Sequence, residues 1–595
     1  MKEKCCLFGK GLLTAYAFLV VFHEPLAAGA FEERIDFLTA SVYELLGSYD
    51  IRLLFMGLIC AFFYGYVDRC KAGAQYSALA CLFSAFLLLG NSYHESGSWD
   101  YCFGSVVNFL KTALAFSGYS FFFSGVLQVL DFFWGRAEFI TEKKHFFSSH
   151  AFLKAFGILV AVYLPFILLS YPGNLCWDVI GQIEQVTLGT GYSSHHPLVH
   201  TLLVGGLTQL GMSLFGAYEI GLFAYMLVQM VLFAASLAAT IAVLAVRGVK
   251  FPVLTGLLAL YILAPVYTNI VSTAVKDVPF MAFVIGYVIC LYLFLEKPDR
   301  LHDRKFVLGF LAVQLGMILF RNNGLYVAVF GGAAALLYVW KCYSVKERLA
   351  GVTVLFAGSV IISKIIVAIL MQVLNATPGS SGEMLSIPFQ QTARYLQLYQ
   401  HELTEEEKSA IEGVLGDVSE VAAVYDPDIS DPVKAMFQKD ASAFAMVDYF
   451  ITWFKCFFKH PAVYFEAFFH HIYGWFDPAV TNFIRYEAQY DLISQEGLFP
   501  DAQKLLLFFY RFVNRFTPLG VLENVGIYVW GLFFVTAYSR KRRDTRAMAM
   551  TMPQWISLLI CMASPCFFMH PRYAFPIMFT LPFLICFMLS SKKEN

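Results

Sequence analysis

Apolar runs of about 17 to 25 residues recur along this chain, each long enough to carry an α-helix through a hydrocarbon core of about 30 Å. In lipid every backbone N–H and C=O must find its partner inside the protein, and an apolar helix does this within its own segment. Runs such as "VPFMAFVIGYVICLYLFL" (278–295) are therefore read as membrane-spanning helices. Composition agrees: 58% of the 595 residues are hydrophobic and 14% are charged, against roughly 25% charged in soluble domains. The sequence predicts an all-α polytopic membrane protein, and its formal net charge of −1 points to no nucleic-acid partner.

Fourteen spans are predicted, near 11–27, 51–67, 76–92, 104–130, 152–170, 217–246, 252–270, 277–295, 306–320, 324–340, 350–374, 521–538, 547–566 and 574–590. They divide the chain into a four-span N-terminal region (1–150), a membrane core with a polar loop at 171–216 (151–374), an insertion with interfacial helices (375–520) and three closing spans (521–595). No internal repeat is visible. The opening "MKEKCCLFGKGLLTAYAFLVVFHEPLAAGA" reads as an uncleaved first span, with a signal peptide cut near Ala28-Gly29-Ala30 as the alternative. The thirteen cysteines are scattered, mostly in apolar runs, and suggest no disulfide framework, although Cys102 and Cys176 are expected on an oxidising face.

Lys and Arg favour cytoplasmic loops. With both termini inside, the basic loops at 69–71, 136–144, 247–250, 297–305, 341–348 and 540–546 all fall inside, while the short outer loops hold only Arg34, Lys276, Arg321 and Arg572. This arrangement requires "PLVHTLLVGGLTQLGMSLFG" (197–216) to be a re-entrant or interface-lying helix despite its span-like length. The insertion contains "LTEEEKSAIEGVL", where Thr404 and Glu407 fit a capping box, and the aromatic-rich "KHPAVYFEAFFHHIYGWFDP" (459–478), expected to lie at the membrane surface.

Three of the four misplaced cations sit in polar loops on the outer side, in "STAVKD" (272–277), "RNNG" (321–324) and "HPRY" (570–573). A fourth loop, "SYPGNLCWDVIGQIEQVTLGTGYSSHHP" (170–197), holds an acid and two adjacent histidines. There Asp178, Gln182 and Gln185 fall on one stripe of a short helix; Asp178 is either a general base facing a cavity or a helix N-cap. His195 and His196 either orient a substrate phosphate, bind a metal, or fill the loop. Lys276 precedes a helix start, where an ammonium, free N–H groups and the positive dipole end favour an anion. Arg321 and Arg572 lie between apolar segments, where a guanidinium is a functional candidate unless it only reaches lipid headgroups; Tyr573 can stack or hydrogen-bond. One acid and three cations on one face suit a phosphate-bearing lipid substrate.

The segments "YPGNLCWD", "YSSHHPLVHTLL", "STAVKDVPF", "RNNGLYV", "LSIPFQQTARY", "SDPVKAMF" and "HPRYAFPI" make residues 150–590 resemble the GT-C glycosyltransferases, the multispanning fold of protein O-mannosyltransferases and lipid A aminoarabinose transferases, and more closely a bacterial multispanning family with that fold. The resemblance implies an inverting sugar transfer from a polyprenyl-phosphate donor to a cell-envelope acceptor (glycan, lipid or protein) on the outer face of the cytoplasmic membrane. It assigns the catalytic base to Asp178 and a lipid-phosphate contact to Arg572, and suggests a substrate-facing role for Gln390. The paired Asp-Glu common in such enzymes is absent, since Val179 follows Asp178; no cofactor is assigned, and a divalent cation is left open. A transporter or flippase of lipid-linked glycans is the rival reading, and a non-catalytic envelope assembly protein a third.

Overall fold

The structure, a computed structural model, describes residues 2–24, 34–46, 51–70, 76–141, 143–343, 346–478, 488–494, 497–516, 518–563 and 571–590. The alternative cleavage point at Ala28-Gly29-Ala30 and His570 of the "HPRY" loop lie outside the described residues. Among them the regular structure is helical apart from one pair of two-residue strands and three isolated bridges. Ten helices are long and apolar enough to cross a membrane, eleven if Phe251–Leu263 and Pro265–Val271, which meet at 53°, form one broken span. This is a multi-pass membrane protein. Helices also occupy the remaining expected spans: Lys2–Leu19 and Val525–Lys541, both shifted, Arg304–Phe320, and the broken pair Thr545–Met550 and Met552–Ala563.

Asp277–Glu296 is the central helix, with 78% of its apolar stretch buried, against 22% for the peripheral Ile51–Cys70. Tyr218–Val246 and Phe575–Leu589 share its core. The two faces of this helical body can be told apart by their contacts. On one, Arg247 bonds Glu296 and Ser590. On the other lie the loop after Leu169, the start of Asp277–Glu296 and the end of Arg304–Phe320.

Leu198–Phe215, one of the ten apolar helices, has both of its ends on this second face. Its first residues follow His196, which bonds Lys276. At its other end Gly216 turns the chain at φ 72°, a left-handed conformation that glycine adopts without strain. Tyr218–Val246 then starts beside the same loops: Glu219 accepts from the Ser494 N–H at 2.8 Å, and Phe223 packs on Tyr171. The backbones meet so closely at Gly211 and Gly221 that a Cβ on Gly211 would lie 2.3 Å from the Gly221 nitrogen. The helix folds back over the end of its successor, as a re-entrant or interfacial segment does.

The insertion carries its own small core, built from Phe389, Leu396, Ile411, Val414, Val421 and Tyr449 among others. Its Thr404–Glu407 capping box is formed. The stretch 459–478, expected at the membrane surface, buries much of its aromatic content and leaves Phe465 exposed. Val463, Tyr464, Ala467, His471 and Trp475 are buried, and Phe469 and Phe476 stack on Phe86 of the N-terminal helix Ser77–Ser96 at 5.5 and 4.4 Å. These aromatic rings seal the N-terminal helices onto the body. Two amphipathic helices leave an apolar face bare, Ala443–Lys459 and Pro500–Phe516.

Candidate functional site

The two-residue strands build the site. Asn174 and Leu175 pair in parallel with Thr273 and Ala274, and Gln229 donates to the carbonyls of Val271 and Thr273 at 3.1 and 2.8 Å. This ladder sets two loops side by side. Three residues past Leu175, Asp178 stands on the first turn of Trp177–Thr187; two residues past Ala274, Lys276 precedes Asp277–Glu296. Lys276 Nζ lies 2.8 Å from Asp178 Oδ2 and 2.9 Å from His196 Nδ1. Arg572 Nη2 donates to the same Asp178 oxygen at 3.0 Å. Behind them Asp277 pairs with Arg321 and lies 3.9 Å from Arg572 Nε. The Arg321 guanidinium rests 4.4 Å over the Tyr573 ring.

Three cations face two carboxylates, so the cluster carries one surplus positive charge. Burial alone would push the Asp178 carboxyl upward, but Lys276 and then Arg572 outweigh it and hold the group well below the usual carboxylate range. Burial lowers the Lys276 ammonium, opposed by Asp178. His196 is lowered to about 3 by burial and by the Lys276 charge, so its ring is neutral near pH 7. An ammonium offers only protons; Nδ1 therefore accepts, and the ring proton sits on Nε2.

The cluster lies in the wall of a cavity of about 2130 Å³, well above the 300–1,000 Å³ of most small-molecule sites. Its wall takes in Asp178, His195, His196, Lys276, Arg321 and Arg572, and continues along Gly324–Tyr343 and Met552–Ala563 through Phe330, Leu337, Ile556 and Leu559. Leu325 and Lys341, both in the wall, are sixteen residues apart on one helix, about 24 Å at 1.5 Å per residue. The cavity is charged around this cluster and mostly apolar along the stretch that runs on toward Lys341 and Thr545.

Of the residues singled out in the sequence, Asp178, His196, Lys276, Arg321, Arg572 and Tyr573 converge here, and His195 lines the cavity. Asp178 is not an N-cap; Cys176 holds that position. Two expectations fail. Gln182 does not face the cavity: it is fully buried, its amide donating to Thr201 and its carbonyl meeting His200, which in turn reaches Tyr225. It positions the re-entrant helix instead. Gln390 is buried in the insertion, where its amide donates to the Asp426 carbonyl at 2.7 Å, because its helix turns that face inward onto the insertion's core. Nor do the residues suit a metal. Among the described residues no three His, Cys, Asp or Glu side chains gather to hold one, and the one carboxylate open to the cavity at this cluster, Asp178, is already shared by two cations that would repel a divalent ion.

Two participants escaped the sequence reading. Asp277, 1% exposed at its side chain, anchors both guanidinium groups. Lys364 lies in the apolar helix Lys346–Val373 and lines the cavity. Gly332 packs on Phe356, so in this antiparallel pair Lys364, eight residues past Phe356, is level with Gly324, the end of the "RNNG" loop. A cation inside a predicted span was the available signal.

No curated protein and no solved structure matches the chain. Residues 187–595 match a family model that takes in Lys276, Asp277, Arg321, Lys364 and Arg572 and begins nine residues after Asp178, and over this span of about two thirds of its length the chain belongs to the family described as "Family of unknown function (DUF6020)".

Proposed function

We propose that this protein is a membrane glycosyltransferase of GT-C type that moves a sugar from a polyprenyl-phosphate donor to an acceptor of the cell envelope. The observation that carries this reading is an ionised acid clamped by cations, with one positive charge in excess, at the polar end of a lipid-sized cavity. The distribution of Lys and Arg supports placing that end on the outer face of the cytoplasmic membrane, with both termini inside.

In this mechanism the donor's prenyl chain lies along Phe330, Leu337, Ile556 and Leu559, and its phosphate meets Lys276, Arg321 and Arg572. An acceptor hydroxyl attacks the anomeric carbon from the side opposite the phosphate. The new C–O bond forms as the bond to phosphate oxygen breaks, the configuration inverts, and the hydroxyl proton passes to Asp178. The leaving phosphate takes the bonding pair and is stabilised by fixed cations, each donor worth roughly 3 kcal/mol in comparable sites. With Lys276 and Arg572 both upon it, Asp178 is a weak base. A phosphate that draws these cations toward itself raises the basicity of Asp178 when the donor is bound.

The test is transfer of label from a panel of polyprenyl-phosphate sugars in membranes containing the protein or its Asp178→Asn variant, with release of polyprenyl phosphate followed in parallel. Turnover by the parent and a loss of about 10²- to 10⁴-fold in an equally abundant variant is the expected result. Full turnover in the variant removes Asp178 from the chemistry. Transbilayer movement of the lipid without transfer favours the transporter.

A further inference from the structure

The helix Pro500–Phe516 has three chemically distinct faces. Leu506, Tyr510 and Val513 are buried. Tyr510 donates to Thr268 Oγ1 at 2.8 Å and its ring packs on Phe166 at 6.1 Å. Phe166 and Thr268 each lie one turn from the end of an apolar helix, Ala151–Leu169 and Pro265–Val271, on the face that holds the charged cluster. The helix is thus fixed at the level where the body leaves the membrane.

A second row, Leu505, Phe508, Phe509, Phe512 and Phe516, follows helical spacing and is 47% to 69% exposed. Its rings continue one another, Phe508 on Phe512 at 6.2 Å and Phe512 on Phe516 at 5.5 Å. The third row is Lys504, Arg511 and Arg515, all exposed. At 3.6 residues per turn these cations share one line, on the side of the apolar row away from the buried one. Among the described residues only Lys504 has a carboxylate nearby, Asp501 at 3.8 Å across exposed surface.

We propose that this helix lies in the plane of the membrane and binds anionic lipid: its phenylalanine row enters the acyl region, and Lys504, Arg511 and Arg515 hold headgroup phosphates of the same leaflet. A helix with one apolar and one basic face takes this position at a charged bilayer surface, and the basic row matches a phosphate, not a neutral headgroup. The segment before it also touches the site loops, since the Ala488 N–H donates to the Leu175 carbonyl at 3.0 Å. The inference does not depend on the transfer reaction.

The experiment uses the full chain in nanodiscs of phosphatidylcholine with or without phosphatidylglycerol. Benzoylphenylalanine replaces Phe508 or, as a buried control, Tyr510, and the photoproducts are identified by mass spectrometry. Bound phosphatidylglycerol is counted in the parent and in the K504Q/R511Q/R515Q variant. Crosslinks from position 508 to acyl chains, with at least a twofold fall in bound phosphatidylglycerol in the triple variant, are expected. A crosslink from 508 to a second protein chain, no acyl product there, or equal phosphatidylglycerol in parent and variant overturns the proposal.

Discussion

The helix Asp277–Glu296 begins in one cluster of charge and ends in another, and the two are built differently. At its far end Glu296 meets Arg247 with both carboxylate oxygens at 2.6 Å. The same guanidinium donates to Ser590 at 2.8 Å and lies 4.0 Å over the Phe587 ring. Among the described residues one cation meets one anion, and no lining residue of the cavity takes part. At the near end three cations share two carboxylates beside open volume. A closed pair ties helices together. A cluster with charge to spare, next to a cavity, is arranged for a charge that arrives from outside.

The largest expected effect comes from breaking the near cluster at its anchor. Asp277→Asn leaves Arg321 and Arg572 without their buried carboxylate and raises the local surplus from one positive charge to two. Removing one partner of a buried pair costs about 3–5 kcal/mol, read as a fall in the thermal midpoint in detergent. Glu296→Gln should cost only about 1 kcal/mol, because Arg247 keeps Ser590 and the Phe587 face and the pair is partly exposed. Equal losses at the two ends would erase the distinction.

The second effect is kinetic. Arg572→Gln should lower sugar transfer by about 10²- to 10³-fold, the range for one preorganised donor to a developing charge. Arg247→Gln should leave transfer within about twofold while lowering stability. If Arg572→Gln transfers at the parent rate, the phosphate does not meet this guanidinium.

The third concerns pH. His196 is lowered to about 3 in the folded chain, against about 6.5 when unfolded. Between those values the unfolded chain binds a proton that the folded one refuses, so stability falls as pH falls through that window. His196→Gln, which can still accept from Lys276, should flatten this fall between about pH 6.5 and 4. Unfolding curves with the same slope for parent and variant would place the acid sensitivity elsewhere.

How much of this was legible in the sequence follows from physical range. Span length and the loop charges are local properties, and they sufficed for the helical membrane body and for the fold-back of 197–216, whose two ends the structure places on one face. Misplaced charge was equally visible, which is why Asp178, Lys276, Arg321 and Arg572 were picked out from loops separated by up to 394 residues. Their pairing was not visible, because it depends on the short ladder of Asn174–Leu175 on Thr273–Ala274, and nothing in either dipeptide names the other. Periodicity put Gln182 on the stripe of Asp178, yet one turn of helix is enough to carry a side chain from the cavity wall into the packing beneath it. Aromatic content at 459–478 could not say whether its rings would meet lipid or the Phe86 helix.

The smallest expected effect separates the two kinds of charge most cleanly. Lys364 lines the cavity level with the near cluster and makes no ion pair among the described residues. Lys541 holds Asp131 at 2.8 Å, an oxygen pair also approached by the Tyr76 hydroxyl at 2.9 Å, and so ties Val525–Lys541 to the N-terminal helix Val106–Arg136. Lys364→Met removes a charge that no group among the described residues holds. Stability should stay level or rise, while the KM for the phosphate donor should climb about two- to fivefold, as for an exposed ion pair of up to about 1 kcal/mol. Lys541→Met should do the reverse, lowering stability by about 1 kcal/mol with KM unchanged. Both are read from the same purified samples by thermal unfolding and initial rates. An unchanged KM in Lys364→Met would mean that this ammonium serves the lipid outside, and that the ligand's charge is met by Lys276, Arg321 and Arg572 alone.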